Sequence, residues 1–262
     1  MNPFEIALLI AVGLMAGVVN TLAGGGSLLT VPLLVVFGLP GTIANGTNRV
    51  GILVQGVVAC WRFDAEGISE LRSALPLLPP VLLGSLIGAA SATQIPDPIF
   101  EQIFAGIMLI LLIPILQGRQ RPAGQGRQRS SIQGRQRGSA PEAQRWSPLK
   151  RGIALFGIGL YGGAVQAGVG LLLLFVLNRA GFDLARANAI KIVIATALAI
   201  VTVPVFVFHQ QVAWLPAAYV SIGFTIGATA GARFAVLGGE SAVRLTLAVA
   251  VLVLAGHLLG LY

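Results

Sequence analysis

Apolar stretches of about 17 to 22 residues recur along this 262-residue chain between short polar breaks, and nothing else in it limits the fold so tightly. Runs of that length match a bilayer core of roughly 30 Å at about 1.5 Å per residue, and their period is helical, without barrel-type alternation. Hydrophobic residues make up 56% of the chain and charged residues 10%, which is more apolar surface than a soluble domain of this size can bury. The chain therefore reads as an all-α polytopic integral membrane protein.

The formal charge of +8 belongs to one loop. Nine of the 17 Lys and Arg residues fall between Arg119 and Arg151, and the other eight face eight acidic residues elsewhere. The tract carries an octad repeat, GRQRPAGQ, GRQRSSIQ, GRQRGSAP, starting at Gly118, Gly126 and Gly134. With almost no apolar side chains it cannot fold alone and reads as a disordered cytoplasmic tether. An arginine-glycine tract could bind RNA or anionic lipid, but a topological role needs no such partner, and no nucleic acid is expected. Three regions follow: a membrane repeat over 1–117, the linker over 118–148 and a second membrane repeat over 149–262. The start, MNPFEIALL, lacks the basic region of a signal peptide and reads as an uncleaved first hydrophobic segment.

Within the first repeat, Gly17 to Arg49 sets polar residues and glycines inside otherwise lipid-like sequence: GVVNTLAGGGSLLTVPLLVVFGLPGTIANGTNR. A weaker copy lies downstream. Gly13 to Asn20 aligns with Gly159 to Gln166, so Asn20 corresponds to Gln166, Asn45 to Asn188 and Asn48 to Lys191. Duplicated halves joined by a dispensable linker are a transporter layout.

Charge then orients the copies. The positive-inside rule puts the linker and the loop with Arg62 and Arg72 in the cytoplasm, and the loop from Thr93 to Asp97 outside. Arg233 and Arg244 flank another inside loop, and His209 to Val212 reads as outside. Residues 150–180 then make no net crossing and form a re-entrant hairpin bent at Gly168-Val169-Gly170. Residues 1–37 form the matching hairpin, entered from the other face and bent at Gly24 to Gly26. The copies would be two inverted repeats, each a broken, re-entrant helix hairpin plus three transmembrane helices, with both termini extracytoplasmic. A competing reading counts Phe4 to Leu22 and Ile153 to Leu173 as spans, giving about eight by hydropathy.

The glycine break offers chemistry. Glycines let the backbone turn without a Cβ penalty, and the helix restarting at Ser27 presents unpaired N–H groups with partial positive charge, an anion site without side-chain charge. Asn20, Thr21 and Ser27 add neutral donors beside Gly24, Gly25 and Gly26, and Asn45 and Asn48 approach from the next segment. In the second copy Gln166, Asn188 and Lys191 sit beside Gly168 and Gly170. Arg49 and Lys191 have two readings, substrate contact or an interfacial helix-end role. Small residues spaced by four, Gly13 and Gly17, Gly84 and Gly88, Gly223, Gly227 and Gly231, read as helix packing.

Other chemistries find little support. GGGS lacks the lysine of a phosphate-binding loop, and His209 and His257 have no acidic or cysteine partner at ligand spacing, so no enzyme, cofactor or metal is expected. Cys60 stands alone and reads as a packing residue.

The stretch AGVVNTLAGGGSLLTVPLLVVFGLPGTIANGTNRVGIL is similar to the signature of the sulfite exporter family called TauE/SafE, and the likeness extends over both halves. The long repetitive linker is atypical of that family. The resemblance implies a bacterial inner-membrane carrier for sulfite, sulfonates, thiosulfate or related organosulfur anions. Asn20, Gly25, Ser27, Asn45, Asn48 and Arg49 match its motif; Gln166, Asn188 and Lys191 carry over more loosely. No Asp or Glu lies within an apolar span, so a buried proton relay is hard to build, whereas the membrane potential could drive anion export. An anion channel, a carrier of another small anion, or a scaffold recruiting a partner through the Arg-rich loop are the alternatives.

Overall fold

A computed structural model describes residues 2–65, 70–116, 146–182, 184–237 and 251–259. These residues contain helices and no strand. The octad repeat, and most of the last expected apolar segment, lie outside the described residues; residues 251–258 are helical.

In the first half, α1 (Pro3–Ala23) and α2 (Ser27–Val36) flank the triple glycine, followed by α3 (Gly41–Ala65), α4 (Leu71–Ala74), a 3-10 turn (Leu75–Leu77), α5 (Leu78–Ala92) and α6 (Asp97–Leu116). The second half runs through α7 (Pro148–Ala164), α8 (Val169–Arg179), α9 (Leu184–Phe208) and α10 (Trp214–Leu237). Three described stretches, Pro3–Thr21, Leu71–Ala92 and Arg186–Phe208, are long and apolar enough to cross a bilayer. Phe4, Leu83, Ile110, Ile113 and Phe208 stand exposed, as side chains facing lipid would.

Local sequence explains where the helices start and stop. Asn2 and Glu5 form a capping box with Pro3 in the first turn, and α1 ends on Gly24 in the left-handed region at φ 75°. Ser147 caps α7 through the Lys150 amide, again followed by proline. The second break lies slightly earlier than expected. The chain leaves helix at Val165, Gln166 and Gly168 take φ of 64° and 70°, and Val169-Gly170 already belong to α8. The Tyr161 hydroxyl, donating to Ala167 O, holds that turn.

The halves interlock through glycine. Gly13 lies against Val220 and Gly223, and Gly17 against Phe224 and Ala228, so α1 runs parallel to α10. Gly84 lies against Phe156 and Leu160, and Gly88 against Leu160 and Ala164, so α5 runs parallel to α7. Each first helix of one half thus packs on a later helix of the other, with α3 and α9 in contact between them. Removing the Cβ allows this backbone approach, which is the packing role read from the spacing. Between α7 and α8 the chain folds back on itself. The Trp146 amide donates to Arg179 O at 3.4 Å, and the Trp146 and Phe175 rings pack edge to face.

Charged groups separate the two ends of the bundle. At one end Asp97 and Glu101 cap α3 through the Thr42 and Gly41 amides, and Gln211 Nε2 donates to Thr93 O. At the other end Arg186 pairs with Glu70 at 2.6 Å, tying the start of α9 to the start of α4. The Arg186 guanidinium holds the Glu70 carboxyl below the usual carboxylate range.

The two breaks meet. A Cβ on Gly24 would lie 2.5 Å from Gly170 Cα, and one on Gly170 2.6 Å from Gly24 Cα. Gly24→Ala combines this clash with an unfavourable left-handed φ, for an expected loss of about 2–5 kcal/mol. Gly170→Ala suffers the clash alone and loses less. Gly106→Ala and Gly157→Ala, where a Cβ meets nothing within 4 Å, are the controls that should leave detergent melting temperature unchanged or slightly higher.

Candidate functional site

The polar residues of α3 go to the ends of two other helices. Asn48 Nδ2 donates to Ser27 Oγ at 3.0 Å and Thr30 Oγ1 donates to Asn48 Oδ1, fixing the first turn of α2. Asn45 Nδ2 donates to Ala164 O at 2.8 Å. Arg49 donates from Nη1 to Gly162 O at 3.0 Å and Thr202 Oγ1 at 3.1 Å, and from Nη2 to Gly163 O at 2.6 Å. The accepting carbonyls are the last of α7, which lack intrahelical partners and mark the negative end of its dipole. The Phe206 ring lies 4.6 Å from the guanidinium, whose side chain is fully buried. Asn45, Asn48 and Arg49 therefore hold the broken helices in place.

A cavity of about 160 Å³ lies where the breaks meet, with room for on the order of ten water-sized spheres. The end of α1 and start of α2 contribute Asn20, Thr21, Gly24 and Ser27, and the α7–α8 turn contributes Gln166, Val169 and Gly170. Gln55 reaches it from α3, Lys191 and Thr196 from α9, and the exposed Arg62 marks its mouth. Asn20 Nδ2 donates to Gln55 Oε1 at 2.9 Å, and Gln55 Nε2 to Gly17 O at 3.4 Å.

Of the residues expected from sequence, Asn20, Thr21, Gly24, Ser27, Gln166, Gly170 and Lys191 come together on this cavity. Gly25, Gly26, Asn45, Asn48, Arg49, Gly168 and Asn188 are not among its lining. Gly26 packs on Ala16 O, Gly168 faces Leu111, and Asn188 is half-buried in the first turns of α9. Gln55, Thr196 and Arg62 were missed. Gln55 carried a legible signal, being an isolated amide inside the apolar run of α3.

Electrostatically the cavity is positive. Lys191 is 3% exposed and its Nζ has no hydrogen-bond partner among the described residues. Gln166 Oε1 is likewise unpaired. No side chain caps the N-terminus of α2 or α8, and no Asp or Glu is found among the lining residues. A buried ammonium without a partner costs several kcal/mol, and two helix N-termini add positive potential. A small anion would offset both.

Comparison with known proteins agrees with this chemistry. The chain is 25% identical to a probable membrane transporter protein, ORF9, of Sinorhizobium sp, over 97% of this chain and 92% of that one. It is 26% identical to a probable membrane transporter protein of Haemophilus influenzae, covering 91% of this chain and 88% of the relative. Against the probable membrane transporter protein YfcA of Escherichia coli K12 it is 25% identical, over 98% and 91%. No solved structure matches. The profile of the sulfite exporter TauE/SafE family matches residues 9–258, nearly the whole chain, and this protein is a membrane transporter belonging to that family.

Proposed function

We propose that this protein exports small organosulfur anions, such as sulfite, sulfoacetate or related sulfonates, across a bacterial inner membrane by alternating access, assisted by the membrane potential. The observation that carries the reading is the buried, unpartnered Lys191 ammonium on a cavity shared by two glycine-broken helices. The family name supports the sulfur chemistry. Among the described residues Glu5, Asp64, Glu70, Asp97 and Glu101 lie at helix ends or in the first turns, away from the cavity lining, which leaves little among them to relay protons. An anion leaving a negative-inside cell gains about 2.3 kcal/mol per charge per 100 mV. In proteoliposomes an imposed potential should accelerate sulfite or sulfoacetate efflux; flux indifferent to potential and dependent on a proton gradient refutes the mechanism.

We read the halves as inverted repeats, each one re-entrant hairpin and three spans, with both termini extracytoplasmic. The parallel pairing of α1 with α10 and of α5 with α7 supports this, as does the Trp146–Arg179 bond that brings α8 back to where α7 began. A cysteine replacing Glu5 should react with an impermeant reagent added outside intact cells. Labelling solely from the cytoplasmic side would mean that α1 starts inside.

A further inference from the structure

Among the described residues lining the cavity, Lys191 is the one enclosed basic group. Lys191 is buried on it without a hydrogen-bond partner, whereas Arg62 sits exposed at the mouth, where solvent screens it. The remaining polar groups of the lining, Ser27 and Thr229 among them, are neutral. On the far side Arg49 and Asn45 clamp the end of α7 and the Ala213 amide donates to Thr47 Oγ1 at 2.9 Å, while the exposed Arg62 lines the cavity at the other end of α3. Whatever charge occupies the site is exposed to the membrane field whenever the barriers exchange sides.

We propose that the Lys191 ammonium is a counter-charge that matches the site to a monoanion, so that the loaded carrier reorients as a neutral unit and the potential acts on the return of the empty, positive carrier. The inference rests on the anion-carrier reading and adds where in the cycle the potential is felt. The balance closes over one turn: anion and ammonium move outward together with no net charge, the anion leaves, and the ammonium returns inward with one positive charge. One negative charge is exported per cycle. A dianion would instead leave the loaded site negative and would move as a charged species in both directions.

The two halves of the cycle are separable in proteoliposomes holding the full chain, with labelled hydrogensulfite in mildly acidic buffer. With equal anion on both sides, tracer exchange uses the loaded carrier alone and should not respond to a potassium-valinomycin potential. Net efflux into anion-free buffer needs the empty return and should rise roughly fivefold to tenfold per 100 mV, negative inside, for one charge crossing about half the field. Lys191→Arg should keep this pattern, and Lys191→Gln should make exchange fall as the potential grows. If wild-type exchange follows the potential as steeply as net efflux does, the charge of Lys191 does not travel with the site and the inference is overturned while the anion carrier stands. If neither exchange nor efflux occurs with hydrogensulfite or sulfoacetate, the organosulfur-anion reading falls and takes the inference with it. Should Lys191→Gln be inactive, the wild-type comparison alone decides.

Discussion

Lys191→Met is expected to lower anion flux about a hundredfold or more and, at the same time, to raise the melting temperature of the empty protein. The two effects have one origin. The ammonium is buried on the cavity with no acceptor among the described residues, so the empty protein bears its desolvation cost without compensation. Methionine fills nearly the same volume without charge; even buried ion pairs are often replaced by apolar residues with a gain of up to about 4 kcal/mol, and an unpaired charge has no Coulombic attraction to lose. The anion loses the enclosed cation that Lys191 supplies, and a charge-assisted hydrogen bond of about 3 kcal/mol corresponds to roughly the hundredfold expected. Ligand stabilisation should diverge in the same way. Saturating anion at about 100 times its Kd adds about 2.7 kcal/mol to the wild-type protein and should add far less to the variant. A variant that loses stability along with transport would make Lys191 a structural residue.

Much of this arrangement was legible because membrane sequence is sparse in polar groups. The helix boundaries follow from apolar runs and their glycine breaks: α1 extends one residue beyond each end of the apolar segment Phe4 to Leu22, and the break at Gly24 to Gly26 is where the structure has it. The internal copy paired the two glycine breaks, and the structure brings Gly24 and Gly170 into contact. What the sequence could not separate was ligand from scaffold among Asn45, Asn48 and Arg49. Their spacing puts them on one side of α3, but whether a donor points to a cavity or to a helix end depends, for Asn45 and Arg49, on α7 more than 100 residues away, and for Asn48 on the first turn of α2. A broken helix has orphan carbonyls as well as orphan amides, and the last carbonyls of α7 need partners just as the first amides of α8 do. Arg49 and Asn45 are those partners. The second break was misplaced by a few residues because Gln166 takes a left-handed conformation that glycine position alone does not announce.

Arg49→Met should therefore fail in a different way from Lys191→Met. Its guanidinium donates to Gly162 O, Gly163 O and Thr202 Oγ1, and removing it strands two helix-end carbonyls inside a fully buried site. Breaking such a buried charged network costs about 3–5 kcal/mol, enough to lower folded yield sharply. Arg49→Lys should recover little, because an ammonium cannot span three acceptors that the planar fork reaches from Nη1 and Nη2 together, nor stack as well on Phe206. Any protein that does fold should bind anion with nearly wild-type affinity, since Arg49 is not among the residues lining the cavity. Thermal melting in detergent paired with anion titration separates the outcomes. A well-folded Arg49→Met protein that has lost anion affinity would show that the guanidinium leaves the end of α7 to meet the substrate, and that the clamp seen here is one state of a moving ligand.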